Sequence, residues 1–190
     1  SFELLRIIAM MMVVMLHYLG KGELLQDLTG ELTLNGYVAW GMEALCIVAV
    51  NVYMLISGYV LVNSEFKLRR LIELICQVLF YTILVEGIAV AVGLVEPGSI
   101  TLNRVLELVF PFQMKHYWFM TAYIIMYLFS PILGTAVHHM EKKQLRNVIV
   151  TLLVFFSISK SVLPVELMVD QEGYDALWFI CVYLVAAYIR

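Results

Sequence analysis

Charge is scarce in this chain. Lys, Arg, Asp and Glu make up 14% of the 190 residues while apolar types reach 63%, whereas a soluble domain carries about a quarter charged residues. The imbalance excludes a water-soluble globular domain and indicates an integral membrane protein. The 12 basic residues are scattered, which excludes the basic patch a nucleic-acid-binding surface needs. Cysteine is rare: Cys46, Cys76 and Cys181 each sit in an apolar run, without CxxC spacing or a Cys/His cluster. No metal site or disulfide framework is expected from them, and they read as small core residues. There is no internal repeat and no low-complexity linker, so 1–190 reads as a single domain or a piece of one. The first apolar stretch lacks a small-residue cleavage end and reads as a retained span.

What is present is a series of apolar runs long enough to cross about 30 Å of hydrocarbon. They lie near 3–20, 36–62, 70–95, 117–137, 146–164 and 176–190. Lipid leaves no partner for an open backbone, so these runs form helices. The fold class is all-α: a polytopic transmembrane helical bundle of about six spans. The second and third runs exceed the minimum length, which fits tilt or irregular ends. Between Pro97 and Pro111 lies an amphipathic stretch too short and too charged to cross, suited to the interface.

Lys and Arg set the sidedness. Lys67, Arg69 and Arg70 follow span 2, Lys142, Lys143 and Arg146 follow span 4, and Arg190 follows span 6. The alternate connections hold Lys21, Arg104 and Lys115 among a larger number of acids. The basic set is therefore expected in the cytoplasm, with the N-terminus on that side and the protein in the cell membrane.

Two ionisable groups share one face of the first span. Arg6 and His17 are eleven residues apart, so about 100° per residue returns His17 to within roughly 20° of Arg6, about 16 Å along the axis. A neutral imidazole at that depth can accept a proton from a hydroxyl, and it can equally be a structural hydrogen-bonding group. Glu43, at a comparable depth on span 2, is a candidate to orient His17, or else part of a structural pair. Asn51 is a candidate for substrate contact because a buried amide needs partners; Gly58 reads as a close helix contact. Arg69 and Arg70, with Lys67, can grip phosphate groups, or simply obey the positive-inside rule. His116 and Trp118, opening span 4, are placed to meet an acceptor from outside. His138 and His139 read as solvated, and Glu73 and Glu86 as acids that line a cavity or pair with a basic neighbour.

In this order the motifs resemble the membrane-bound acyltransferase family 3. The resembling residues are Arg6 and His17, Val50-Asn51-Val52-Tyr53-Met54-Leu55-Ile56-Ser57-Gly58-Tyr59, the Lys67/Arg69/Arg70 cluster, His116-Tyr117-Trp118-Phe119-Met120, Tyr127-Leu128-Phe129-Ser130-Pro131-Ile132-Leu133, and Trp178-Phe179 through Arg190. The resemblance implies Arg6 and His17 as essential residues, with cytoplasmic acyl-CoA, commonly acetyl-CoA, as donor and no permanently bound cofactor. It implies O-acylation of a carbohydrate or other cell-envelope acceptor outside the membrane. The family's Arg-Arg-x-x-Arg pattern reads Arg69-Arg70-Leu71-Ile72-Glu73 here. Because such proteins carry further spans, the chain reads as an N-terminal half, truncated at its C-terminal side. Two rivals share the composition: a transporter, and a substrate-supplying module such as that of membrane-bound serine racemases. A purely structural fragment is favoured only if no polar cavity joins Arg6 to His17.

Overall fold

The computed structural model describes residues 2–95, 101–109, 117–158, 162 and 175–190. The regular secondary structure of these residues is all helical, with no strand among them: α1 (Phe2–Lys21), α2 (Leu34–Cys46), α3 (Ala49–Leu61), α4 (Leu68–Ala91), α5 (Leu102–Val109), α6 (Trp118–His139), α7 (Lys142–Leu153), a π turn over Val154–Ile158, and α8 (Ala176–Ile189). Among the described residues, four helical segments are long and apolar enough to cross a membrane: Phe2–Lys21, Leu34–Leu61, Leu68–Ala91 and Trp118–His139. The second predicted span is thus α2 and α3 in series, interrupted at Ile47 and Val48, both of which keep right-handed helical angles. The fifth and sixth predicted spans are shorter in the described residues. Helix α7 begins with a polar turn and passes into the π turn. Helix α8 has 14 residues and rises about 21 Å, less than the thickness of the hydrocarbon.

Local chemistry explains the helix ends. Thr33 Oγ1 accepts from Gly36 N at 3.2 Å to cap α2, and Asp175 Oδ1 accepts from Trp178 N at 2.8 Å to cap α8. Helix α4 stops where Gly93 adopts φ +79. Gly93 N then donates to Val90 O and Leu94 N to Ala89 O, the paired bonds that close a helix through a left-handed residue. Outside the membrane-spanning helices, Asp27 accepts from Thr29 N at 3.0 Å; that bond holds the carboxyl below its ordinary pKa.

The core forms around α8, which packs against α3, α6 and α7. Phe179, Cys181 and Tyr183 on α8 are fully buried with Met54 of α3 and Met126 of α6. A helix apolar on every side belongs at the centre of a bundle. Gly58 permits this packing: a Cβ there would stand 2.9 Å from Ala186 Cβ and 3.1 Å from Tyr183 Cα. Of the three cysteines, Cys46 and Cys181 are buried but Cys76 is exposed. The expectation of a core position for Cys76 is corrected, because α4 contributes only Leu71 to the buried set and turns most of its surface outward.

Contacts gather the basic segments at one end. Phe2 meets the Tyr59 ring at 5.3 Å, and Arg190 stands over that same ring at 5.1 Å while donating to the Tyr59 carbonyl. Lys142 lies over Tyr188 at 5.2 Å. With its amide oxygen turned to Arg190, Asn63 accepts from Nε at 2.9 Å and donates to His138 Nε2 at 3.2 Å. His138 and His139 lie in the last turn of α6 and are exposed, as expected, with the His138 ring also bonded to Asn63. Placing a methyl on Gly58 should force α3 and α8 apart. Gly58→Ala is expected to lower stability by about 1–3 kcal/mol, read as an earlier thermal unfolding transition in detergent, with Gly58→Leu worse.

Candidate active site

A cavity of about 700 Å³ lies among α1, α3, α4 and α6, within the size range of small-molecule sites. Each helix offers one face. From α1 come Arg6, Met10, Val13 and His17, at steps of 4, 3 and 4 residues that keep them in one row. From α3 come Val50, Tyr53, Ser57 and Leu61, and from α4 Arg70, Leu71 and Leu74. Helix α6 supplies an aromatic wall. Phe119 and Tyr123 stack at 6.3 Å, Tyr123 and Tyr127 at 6.4 Å, and Tyr53 meets Phe119 edge-on at 6.0 Å. Offset and edge-on ring pairs of this kind stiffen a wall beyond simple burial.

The imidazole of His17 is oriented by its own helix. Nδ1 lies 2.9 Å from Val13 O. A carbonyl can only accept, so Nδ1 carries the hydrogen and the neutral ring keeps Nε2 unprotonated. This is the tautomer a general base requires. Glu43 was one candidate to orient the ring; in the structure the Val13 carbonyl holds Nδ1. Glu43 makes no hydrogen bond to the ring, and its Oε2 is buried without a partner among the described residues.

Arg6 Nη1 pairs with Glu3 Oε1 at 2.8 Å, one turn toward the helix start. The basic cluster after span 2 divides. Arg70 lines the cavity, whereas the side chain of Arg69 is 88% exposed and pairs with Glu73 at 2.7 Å. Consecutive helical positions are about 100° apart, so only one of the two arginines can face inward. Lys67 contributes its backbone: its N accepts no ladder role but donates to Tyr127 Oη, which donates in turn to Lys67 O, both at 3.1 Å. Asn51 lies off the cavity and accepts from Trp178 Nε1 at 2.8 Å, bracing α3 to α8. Trp118 lines the cavity and touches Phe119 and Phe179 edge-on. His116 lies outside the described residues.

The structure thus brings Arg6, His17, Arg70 and Trp118 to one cavity and leaves Glu43, Asn51, Lys67 and Arg69 off its wall. It adds Tyr53, Ser57, Tyr123 and Tyr127, whose signals were helical spacing: 53 and 57 share a face, as do 119, 123 and 127. With Arg70 and the Glu3-paired Arg6 toward one end, and an imidazole nitrogen without a hydrogen bond among the described residues toward the other, the arrangement can hold an anion and deprotonate a hydroxyl at separate points.

The family model of the acyltransferase domain, acyltransferase 3, matches residues 1–190. The chain belongs to that family. No curated protein and no solved structure matches it. Membership makes this a membrane acyltransferase domain, and it supplies a reaction class for a cavity lined by an imidazole and two arginines. Within that domain, Asn51 serves the frame. Asn51→Leu should leave the Trp178 indole N–H unpaired and cost about 1–3 kcal/mol of stability, measured by thermal unfolding, while protein that remains folded keeps its affinity for substrates.

Proposed function

We propose that this domain transfers an acyl group from cytoplasmic acyl-CoA, most simply acetyl-CoA, to a hydroxyl of a carbohydrate or other cell-envelope acceptor outside the membrane. The observation that carries this reading is one continuous cavity with Arg6 and Arg70 on its wall together with His17. Arg6 and His17 stand about 16 Å apart along α1. Arg70 and Arg6 take the anionic part of the donor at the basic end. That end carries the Lys and Arg connections and so faces the cytoplasm of the cell membrane.

The thioester lies along the aromatic wall toward His17. The Nε2 of His17 accepts the proton of the acceptor hydroxyl as its oxygen bonds to the thioester carbonyl carbon. The carbon–sulfur bond then breaks, and the departing thiolate takes a proton from the imidazolium. The products are the acyl ester and free coenzyme A, and His17 returns to its neutral form. Trp118, on the wall at the far end from Arg70, provides a flat apolar face for a sugar ring. Holding both reactants along one line makes the transfer effectively intramolecular.

The cavity that would be missing from a purely structural fragment is present. A transporter would need its polar groups for passage rather than for proton removal, and this difference is measurable. In membranes carrying the full-length protein and supplied with radiolabelled acetyl-CoA, His17→Ala should lower label in envelope glycan by about 100-fold or more at equal expression. Undiminished label would rule out His17 as the base. Arg70→Ala should raise the KM for acetyl-CoA about tenfold or more, the scale of a lost charge-assisted pair, with a smaller effect on kcat.

A further inference from the structure

Helix α4 delivers Arg70 to the cavity, yet packing alone holds it weakly, since Leu71 is its one buried residue. Hydrogen bonds tie it to α6 and to that helix's N-cap. At the far end, Thr82 Oγ1 and Tyr117 Oη are 3.0 Å apart. At the basic end, the Tyr127 phenol holds both polar atoms of one peptide residue: it donates to Lys67 O and accepts from Lys67 N, each at 3.1 Å. Lys67 is the N-cap of α4. Its carbonyl oxygen also accepts from Arg70 N at 3.0 Å, so a single oxygen joins the Tyr127 phenol to the Arg70 backbone.

Tyr127 is itself immobilised. The residue is 3% exposed, and its ring lies between Phe66 at 5.1 Å and Tyr123 at 6.4 Å. Pro131, four residues on, has no N–H for the Tyr127 carbonyl. The Ser130 hydroxyl replaces that donor, giving to Tyr127 O at 2.7 Å. The Tyr127 carbonyl that Pro131 cannot serve is therefore engaged.

We infer that Tyr127 is the positioning residue of the anion-binding end: by gripping Lys67 it fixes the first turn of α4 and hence where Arg70 stands in the cavity. The inference rests on the proposed donor reading and adds to it a residue that need not touch the donor phosphates. Replacement by phenylalanine keeps the ring in its stack and removes both bonds to Lys67.

The test is equilibrium binding of coenzyme A to the purified full-length protein in nanodiscs, by calorimetry. It compares wild type, Arg70→Ala, Tyr127→Phe, the double variant and Thr82→Val. Tyr127→Phe should weaken binding about fivefold to tenfold, the scale of one ordinary hydrogen bond. The double variant should bind no more weakly than Arg70→Ala alone, because Tyr127 acts through Arg70. Thr82→Val, at the other tie, should bind as wild type does. Ser130→Ala, which loosens Tyr127 without touching its phenol, supplies a milder variant should Tyr127→Phe fold poorly, and its effect should likewise vanish in the Arg70→Ala background. If Tyr127→Phe binds normally while Arg70→Ala is weakened, or if their effects add in the double variant, the positioning role is wrong and the donor reading stands. If wild type binds no coenzyme A, or Arg70→Ala binds as wild type, the donor reading fails and the inference fails with it.

Discussion

A guanidinium and an imidazole on one face of an apolar helix are costly in hydrocarbon unless the protein encloses a space for them. Helix α1 carries Arg6 and His17 on such a face, and α3, α4 and α6 stand around it to form the cavity. Most of the enclosure is apolar, and Tyr53, Tyr123, Tyr127 and Trp118 add amphipathic rings that suit a space shared by water and lipid. Because Arg6 and His17 lie on one rigid helix, their separation is set by helical rise rather than by loops.

The frame and the site are built differently. The frame is the α3, α6 and α8 core, where Gly58 brings two helix backbones close and Asn51 ties α3 to Trp178. Helix α4, by contrast, lies mostly outside that core and meets it at hydrogen-bonded points, at Tyr127 and at Tyr117. Arg70 thus sits on an element whose position depends on a few polar contacts. Such contacts are adjustable in a way a packed interface is not, which suits the end of the site where the proposed donor would enter and leave.

Much of this was legible in the sequence. Apolar length identified α1, the α2–α3 pair, α4 and α6, and the eleven-residue interval set Arg6 and His17 on one face. Spacing within a helix is intrinsic, so such readings survive folding. The misplaced residues depended on contacts between helices, which no single segment encodes. Glu43 matched His17 in depth but not in contact, since the Val13 carbonyl, a backbone group, supplies the orientation. Asn51 has the polarity of a site residue, but a tryptophan far along the chain takes its oxygen. Arg69 and Arg70 are neighbours in sequence and only their rotation about α4 distinguishes them. The same holds for Cys76, apolar in context yet turned outward.

The central claim is that one cavity carries an acyl group from the basic end of the bundle to a base near the other end. Sealed membrane vesicles of the two orientations, given radiolabelled acetyl-CoA outside only, put this to its most direct trial when label is counted in envelope acceptor on the opposite face. Vesicles with the Arg70 end outward should label acceptor held inside, and vesicles of the reverse orientation should stay unlabelled. Equal labelling in both orientations, or labelling confined to the reverse one, would contradict a one-way path from Arg70 to His17.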